Sequence, residues 1–374
     1  MSELRNNVTN DEYADVEGGD DSQPSGWGSD YPLDAVFVRS EQRTVAEVVK
    51  RIKAGRYQLD PDFQRDFVWP VVSQSRLIES CVMRIPLPVF YVAENYEGRI
   101  AVVDGLQRLT TFDRYLRGDF ALSLKNGIDQ PPHALNGLKF LDLPIQLQER
   151  IEDTQLTMYI LDAKAPERAK LDIFERVNSG VSLTRQQMRN CLFNGRATKW
   201  LRESAESAQF VRASGGSLQP KTMRDREAIN RFCAFYFFSE EKYKGGDMDD
   251  FLAKALQYMN ENPRELDDLT RFFNHSMLAN EYLFKEHSFR KSLARPYGSR
   301  SVLNIALFDV FSVIFTKYDK DAIVARADEL RKVAQNLIED ATFKHAITYS
   351  TNSTKQVRTR FEMARDAVRE VFSD

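Results

Sequence analysis

The sequence predicts an α+β protein in which an α/β N-terminal domain is followed by an all-α C-terminal domain. A chain of 374 residues exceeds the usual span of one hydrophobic core, so two domains are expected. Apolar runs of strand character occur before residue 162, whereas amphipathic helical patterns dominate after residue 166. Hydrophobic residues make up 42% of the chain, enough to build a core in each domain.

Residues 1–34 are expected to form a disordered acidic tail. Residues 1–30 contain eight acidic residues and one basic residue, so they carry −7, whereas the rest of the chain carries +4. A segment this polar buries too little apolar surface to offset the entropy lost on ordering. Mimicry of nucleic-acid charge is a second interpretation of the acidity.

Residues 35–195 are assigned to the α/β domain, whose first helix is expected to end at Gly55. Thr44 and Glu47 have the spacing of a reciprocal N-terminal cap. The next patterns predict a proline-bounded loop, a helix and a strand, at residues 61–70, 73–84 and 89–92.

In the middle of this domain, the spacing of the apolar residues changes from that of a strand to that of a helix. Turn residues at 95–98 precede a buried strand that ends at Asp104-Gly105, and helical spacing then continues to Gly118. Later patterns predict strands at 120–124 and 156–161, a short helix at 146–152, and helices at 166–177 and 184–193. Thr184 and Gln187 form a second capping pair.

Residues 196–374 are assigned to the helical domain. Helices are predicted at 222–239, 247–259, 263–289, 301–318, 320–339 and 354–372. The domain boundary is expected between Asn194 and Gln219, where the sequence 214–217 (Ser-Gly-Gly-Ser) has the composition of a flexible linker.

Composition weighs against several classes of protein. The three cysteines show no C-x-x-C spacing and the four histidines form no zinc-binding array, so neither a disulfide framework nor a histidine metal site is predicted. No apolar run is long enough to span a membrane and no secretory signal is present, so we expect a cytoplasmic protein.

The strand-to-helix junction at residues 104–108 is the main candidate site. Backbone N–H groups at a helix start lack partners and lie in a positive field, which favours phosphate, and Gly105 permits close approach. Arg108 could contact phosphate oxygens and Gln107 a base, sugar or water, while Asp104 could hold Mg²⁺ or a hydroxyl. Alternatively, Asp104 is an ordinary N-cap and Arg108 a surface cation.

Two further clusters accompany the junction. Gln64 and Arg65 lie between aromatic residues in the loop, where they could reach a shared ligand or, alternatively, belong to a packing loop with a solvated arginine. Arg176 and Asn178 lie where a helix ends in an Asn-Ser-Gly turn, and ordinary helix termination is the alternative there.

Together, the motifs resemble the N-terminal domain of GmrSD-type, modification-dependent restriction endonucleases. The resemblance covers roughly residues 38–195 and rests on the motifs at residues 44–47, 62–69, 77–80, 85–88, 103–111 and 174–184. It implies a fold of the ParB/sulfiredoxin-like kind, because Gly105-x-x-Arg108 is similar to the phosphate-contacting motif of ParB.

The resemblance also implies roles for individual residues. Asp104, Gln107 and Arg108 would act in catalysis, and Asp104 would hold the metal. The nucleotide-binding residues would be Gln64, Arg65, Gly105, Thr110, Arg176 and Asn178.

Three departures from the family pattern qualify these roles. Leu106 stands where the family usually has Gln, which bears on nucleotide preference and turnover. The loop at 61–70 lacks the cysteine that sulfiredoxin chemistry needs, and the sequence after Gly195 shows no HNH array.

The expected function is therefore that of a component of a DNA-modification-sensing restriction or anti-phage system, which binds a nucleoside triphosphate with Mg²⁺. Hydrolysis is left open. Expected partners are DNA, a separate nuclease and a second copy of the chain in a homodimer, and Lys355, Arg358 and Arg360 form a small basic patch. The alternatives are a stand-alone metal-dependent nuclease and a non-enzymatic, nucleotide-gated adaptor.

Overall fold

The computed structural model describes residues 16–17, 38–59, 69–95, 97–125, 133–177, 184–295 and 297–373. The chain divides into two compact units, one formed by Ser25–Asn194 and the other by Met1–Pro24 with Gly195–Asp374. Within the described residues, no helix is long and apolar enough to cross a membrane. The architecture is mixed α+β, as the sequence predicts.

The α/β unit is built on a five-stranded mixed sheet. The first strand of the chain, β1 (Val16–Glu17), belongs to the other unit. The sheet consists of β2 (Val38–Thr44), β3 (Tyr57–Gln58), β4 (Phe90–Glu94), β5 (Ile100–Asp104) and β6 (Gln155–Leu161). Its order is β2-β6-β4-β5-β3, and β5 pairs antiparallel with β4 and parallel with β3.

Six described helices accompany this sheet. They are α1 (Val45–Lys53), α2 (Val71–Val82), α3 (Leu106–Leu116), α4 (Ile145–Glu152), α5 (Glu167–Val177) and α6 (Arg185–Leu192). Side chains alternate between two cores, because successive strand residues point to opposite faces. Val92 and Ile160 join one core with α1, α2 and α3, whereas Ala93 and Leu161 join the other with α5 and α6.

Two caps show how far local sequence determines these helices. Thr44 Oγ1 accepts a hydrogen bond from the Glu47 N–H at 3.2 Å, as predicted. The predicted reciprocal bond, from the Thr44 N–H to the Glu47 carboxylate, is wrong, because that carboxylate accepts a hydrogen bond from Arg51 instead. At α6 the predicted pair is complete, with Thr184 and Gln187 each bonding the other's backbone N–H.

Two elements differ from the prediction. Strand β2 was not expected, because it is polar and lies at the sheet edge, where Arg39, Glu41 and Arg43 form ion pairs. The predicted strand at 120–124 is wrong. Leu122 exchanges two backbone hydrogen bonds with the segment at Gly137–Leu138, while neighbouring N–H groups bond side chains, so no regular ladder forms.

Within the described residues, the other unit is helical apart from one short pair of strands. Its elements are α7 (Arg196–Ala205), α8 (Ala208–Ser214), α9 (Arg224–Lys242), α10 (Met248–Glu261), α11 (Leu266–Phe284), β7 (Leu303–Asn304), α12 (Ile305–Ile314), α13 (Lys320–Ala325), α14 (Ala327–Glu339), α15 (Ala341–Ala346) and α16 (Thr354–Val371). Every residue of α12 is buried, and this helix packs against α9, α11 and α16.

The segment expected to contain a flexible linker is instead part of this helical unit. Residues 196–205 and 208–214 are α7 and α8, and Gly215 ends α8 in a left-handed conformation. Near the N-terminus, β1 pairs in parallel with β7, and Glu17 forms an ion pair with Lys291. The remainder of the acidic tail lies outside the described residues.

A buried ionic cluster lies at the centre of the helical unit. Asp309 on α12 accepts hydrogen bonds from Arg231 on α9, at 2.8 and 2.6 Å, and from Arg360 on α16, at 2.7 Å. All three side chains are fully buried. The predicted basic patch at Lys355, Arg358 and Arg360 is therefore wrong in one member, because Arg360 is part of the core.

Candidate nucleotide site

The candidate site is built on a sharp turn between β5 and α3. Gly105 has φ +98°, a left-handed conformation that glycine adopts without a steric penalty. A Cβ atom at this position would lie 2.3 Å from Phe90 Cδ1. Both the turn and the packing of Phe90 therefore require glycine, and the side on which a side chain would lie is filled by the Phe90 ring and the Arg108 guanidinium.

Arg108, one turn into α3, is largely buried and faces the start of β4. Its guanidinium donates to the carbonyl oxygens of Pro88 and Val89, and to Asp104 Oδ2 at 2.8 Å. The guanidinium carbon also lies 4.1 Å from the centre of the Phe90 ring. Arg108 thus ties together the end of β5, the start of α3 and the segment before β4.

The charge of this ion pair is only partly shielded from solvent. The Asp104 side chain is 37% exposed, whereas that of Arg108 is 11% exposed. Burial lowers the pKa of the Arg108 guanidinium, and the Asp104 carboxylate opposes this shift. The carboxylate is therefore the more accessible member of the pair.

Gln107 and Thr110 occupy other positions on α3. Gln107 Oε1 accepts a hydrogen bond from the backbone N–H of Trp69 at 3.0 Å, which attaches the end of the predicted 61–70 loop to the junction. Thr110 Oγ1 is buried and has no hydrogen-bond partner among the described residues. Leu106, the departure from the family pattern, is partly buried against the core shared with α1 and α2.

The structure brings four predicted residues together, Asp104, Gly105, Gln107 and Arg108, because they follow one another in the chain. The other predicted positions are less well defined. Arg176 is exposed in the last turn of α5. Gln64, Arg65 and Asn178 lie outside the described residues.

Sequence reasoning missed the partners on β4 and in the loop. Arg108 donates to the carbonyl oxygens of Pro88 and Val89 and lies over the Phe90 ring, and the Trp69 N–H donates to Gln107. The prolines at 86 and 88 were quoted as part of the motif pattern, but nothing in their spacing links them to an arginine 20 residues later.

A second polar group lies within α6 and was also missed. Gln186, Arg189 and Asn190 are buried. Arg189 Nε donates to Gln186 Oε1 at 3.0 Å, and Gln186 Nε2 donates to Asn190 Oδ1 at 2.9 Å. On the same side of the sheet, Arg185 pairs with the buried Asp172 of α5 at 3.2 Å. This polar layer follows directly after the motif at 174–184.

The donor set at the junction can be compared with what Mg²⁺ requires. Among the described residues, no group of three or more His, Cys, Asp or Glu side chains could hold a metal ion. Mg²⁺ is commonly bound by one or two carboxylates together with substrate phosphates and water, so Asp104 fits this requirement as one ligand. Asp104 is thus one carboxylate at the junction that could serve as such a ligand.

Comparison with known proteins agrees with the motif pattern. Residues 45–194 match the family model for the GmrSD restriction endonuclease, N-terminal domain. These residues belong to that domain family. No curated protein and no solved structure matches the chain. The match ends at Asn194, the last residue of the α/β unit, so the GmrSD N-terminal domain and this compact unit share their C-terminal limit.

Proposed function

We propose that this protein is the nucleotide-binding component of a restriction or anti-phage defence system that senses DNA modification. The family match at residues 45–194 supports the restriction context. The observation that carries the nucleotide part is the Asp104–Arg108 ion pair beside the left-handed Gly105 turn. A ParB/sulfiredoxin-like relationship stays a prediction.

The phosphates of the ligand would bind at the start of α3. The first backbone N–H groups of a helix have no carbonyl partner within it, and among the described residues no side chain caps this end. Those N–H groups and the positive end of the helix dipole favour an anion.

Arg108 would exchange one partner on ligand binding. Its Nη2 is shared between the carbonyl oxygen of Val89, at 3.0 Å, and Asp104 Oδ2, at 2.8 Å. The carbonyl contacts of Pro88 and Val89 hold the guanidinium in place, so a phosphate oxygen can replace the carboxylate without reorganising the side chain. Charge-assisted bonds between arginine and phosphate are among the strongest hydrogen bonds in proteins.

Asp104 would then be free to act as a ligand of Mg²⁺. When bound, the metal supplies positive charge that offsets the charge of the phosphates. The Trp69 N–H donates to Gln107. Gln64, Arg65, Thr110, Arg176 and Asn178 would complete the proposed set.

A nucleotide panel tests this function. The full chain is titrated with ATP, GTP, CTP and UTP, with and without Mg²⁺ and duplex DNA, and both heat of binding and phosphate release are measured. Binding with release supports an NTPase, and binding without release supports a nucleotide-gated adaptor. Absence of binding to every nucleotide under all conditions would refute the nucleotide-binding site.

The division of labour with a nuclease is tested separately. Supercoiled plasmid, plain or carrying modified bases, is incubated with the full chain and Mg²⁺ or Mn²⁺, because one nick per circle is detectable. We expect no nicking, with cleavage supplied by a separate nuclease. Nicking that disappears in Asp104→Ala would instead establish a stand-alone metal-dependent nuclease.

A further inference from the structure

The helical unit contains a basic pocket, defined here as the cavity of about 900 Å³ between α11, α13 and the end of α8. This volume is within the range of small-molecule sites. Five basic and two acidic side chains line the basic pocket. The basic ones are Arg212, Lys285, Arg300, Lys320 and Arg331, and the acidic ones are Glu281 and Glu286. The basic pocket therefore has an excess of positive charge.

The basic side chains of the pocket differ in whether they form ion pairs within the protein. Arg212 is paired with Glu281 at 3.0 Å, and Arg331 with Asp328 at 2.7 Å. By contrast, the side chains of Lys285, Arg300 and Lys320 are exposed and have no hydrogen-bond or ion-pair partner among the described residues. Three cations are thus available to an anionic ligand without breaking an internal contact.

Two guanidinium groups lie beside Gly215, which lines the basic pocket. A Cβ atom at Gly215 would lie 2.8 Å from Arg300 Nη1 and 3.4 Å from Arg290 Nη2, so both guanidinium groups approach the same point. Burial and the nearby Arg300 lower the pKa of Arg290 to about 10. Arg290 is buried and bonds Ser214, Ser217 and Ser288, which leaves Arg300 as the accessible cation there.

The lining of the basic pocket also includes exposed apolar side chains and an aromatic ring. Leu278, Tyr282 and Val324 are each more than 40% exposed, whereas the adjacent Ile323 is buried. Exposed apolar side chains of this size beside unpaired cations are typical of a binding site. Flat apolar surface next to phosphate-binding cations suits a base attached to a phosphorylated sugar.

We propose that the basic pocket binds a nucleotide unit, with the phosphate at Arg300, Lys285 and Lys320 and the base against Leu278, Tyr282 and Val324. This site lies within the helical unit and does not depend on the Asp104 site. The nucleotide unit can come from a free mononucleotide or from a single-stranded nucleic acid. An acidic peptide would satisfy the cations but not the flat apolar side.

Binding is measured by fluorescence anisotropy with a labelled 12-nucleotide single strand and the full chain, without divalent metal. The charge variant is Arg300→Glu with Lys320→Glu. The matched control is Lys244→Glu, an exposed lysine of the same unit that does not line the pocket. We expect at least a tenfold loss of affinity and a shallower salt dependence in the double variant, because two phosphate contacts are removed, and little change in the control.

The aromatic contact is tested with Tyr282→Leu against Tyr349→Leu, which changes an exposed tyrosine outside the pocket. Only the first should weaken binding, by severalfold. A strand carrying 5-iododeoxyuridine should crosslink to the peptide that contains Tyr282. Melting curves of all variants verify folding.

Competition identifies the source of the nucleotide unit and can also overturn the proposal. If dAMP displaces the strand at similar concentration, the site takes free mononucleotides, and if only longer strands displace it, the site takes nucleic acid. Equal displacement by inorganic phosphate or by an acidic peptide would refute base recognition. Unchanged affinity in the folded double variant, or an equal loss in Lys244→Glu, would refute the site.

Discussion

Two aspartates paired with arginine, one in each unit, differ in how completely they are enclosed. The Asp104 side chain is 37% exposed, whereas Asp309 and both its arginine partners are fully buried. A buried cluster cannot change partners without exposing the core, because each unpaired charge costs several kcal/mol, on the order of 3–5. An open pair can exchange one partner for a ligand. The difference separates a structural ion cluster from a candidate binding site.

The largest expected effect is at the closed cluster. Asp309→Ala would leave Arg231 and Arg360 buried without their carboxylate, and we expect the free energy of unfolding to fall by about 3–5 kcal/mol. Urea denaturation measures this loss. The control is Asp328→Ala, which removes an exposed carboxylate from Arg331 and should cost less than about 1 kcal/mol. Similar losses in the two variants would remove the distinction between closed and open pairs.

The next largest loss of stability is expected from replacing Gly105 at the junction between β5 and α3. In Gly105→Ala, the alanine would have to adopt φ +98° and its Cβ would displace Phe90. The control is Gly118→Ala, just beyond the other end of α3, where φ is also positive at +80° but a Cβ would meet nothing within 4 Å. Positive φ alone costs about 1–3 kcal/mol and overpacking adds about the same. Chemical denaturation should therefore show a larger loss for Gly105→Ala. Equal losses would indicate that Phe90 moves aside freely, and that the junction is less rigid than the structure shows.

These two sites show what the sequence could and could not predict. The turn at Asp104-Gly105 was predicted because the change from strand to helical spacing and the glycine are local features. The burial of Arg108 was not, because its partners Pro88 and Val89 lie in the segment before β4, about 20 residues earlier in the chain. Arg360 was assigned to a surface patch for the same reason, since Asp309 is 51 residues away.

Secondary-structure elements also differ in whether the sequence predicts them. Strand β6 was predicted from its apolar residues, whereas β2, with its alternating charged residues, was not, because its ion pairs form only once the sheet exists. The elements that local periodicity describes are those with a buried apolar face. Polar edge strands and buried ion pairs depend on partners that are distant in the chain.

Asp225 is a buried carboxyl group that is not held between arginines as Asp309 is, and its titration predicts a dependence of stability on pH. Burial raises the pKa of Asp225, in the first turn of α9, to about 6. The folded state therefore binds a proton more tightly than the unfolded chain, and stability falls as pH rises from about 4 to 6. Asp225→Asn should raise the free energy of unfolding at pH 7.5 by about 1–2 kcal/mol relative to the wild type, and this gain should disappear near pH 4. Denaturation at both pH values measures it, and a gain independent of pH would contradict the assignment.

Asp104→Asn tests exchange at the open pair. The variant keeps the shape of the side chain but removes its charge, so we expect the fold to be retained and the affinity for nucleoside triphosphate with Mg²⁺ to fall at least tenfold, about 1.4 kcal/mol. Calorimetry measures the affinity. Arg108→Ala should also abolish binding, but the loss of its carbonyl and Phe90 contacts would destabilise the fold, which makes Asp104 the cleaner test. Unchanged affinity in the folded Asp104→Asn variant would assign the ion pair a structural role, like that of Asp309.

The smallest effect is expected at a third kind of ionic contact, the pair between Glu17 and Lys291. Both side chains are partly exposed, and exposed pairs contribute about 0–1 kcal/mol. The pairing of β1 with β7 adds only two residues, and Lys291 keeps a second contact, to Thr348 Oγ1 at 2.8 Å. Deletion of residues 1–30 should therefore lower the melting temperature by no more than about 2 °C. Scanning calorimetry of the full and shortened chains decides this, with Glu17→Gln in the full chain as the control for the ion pair alone. A drop of several degrees on deletion, without one in Glu17→Gln, would show that the acidic tail docks through contacts other than this pair, and would favour its interpretation as a mimic of nucleic-acid charge.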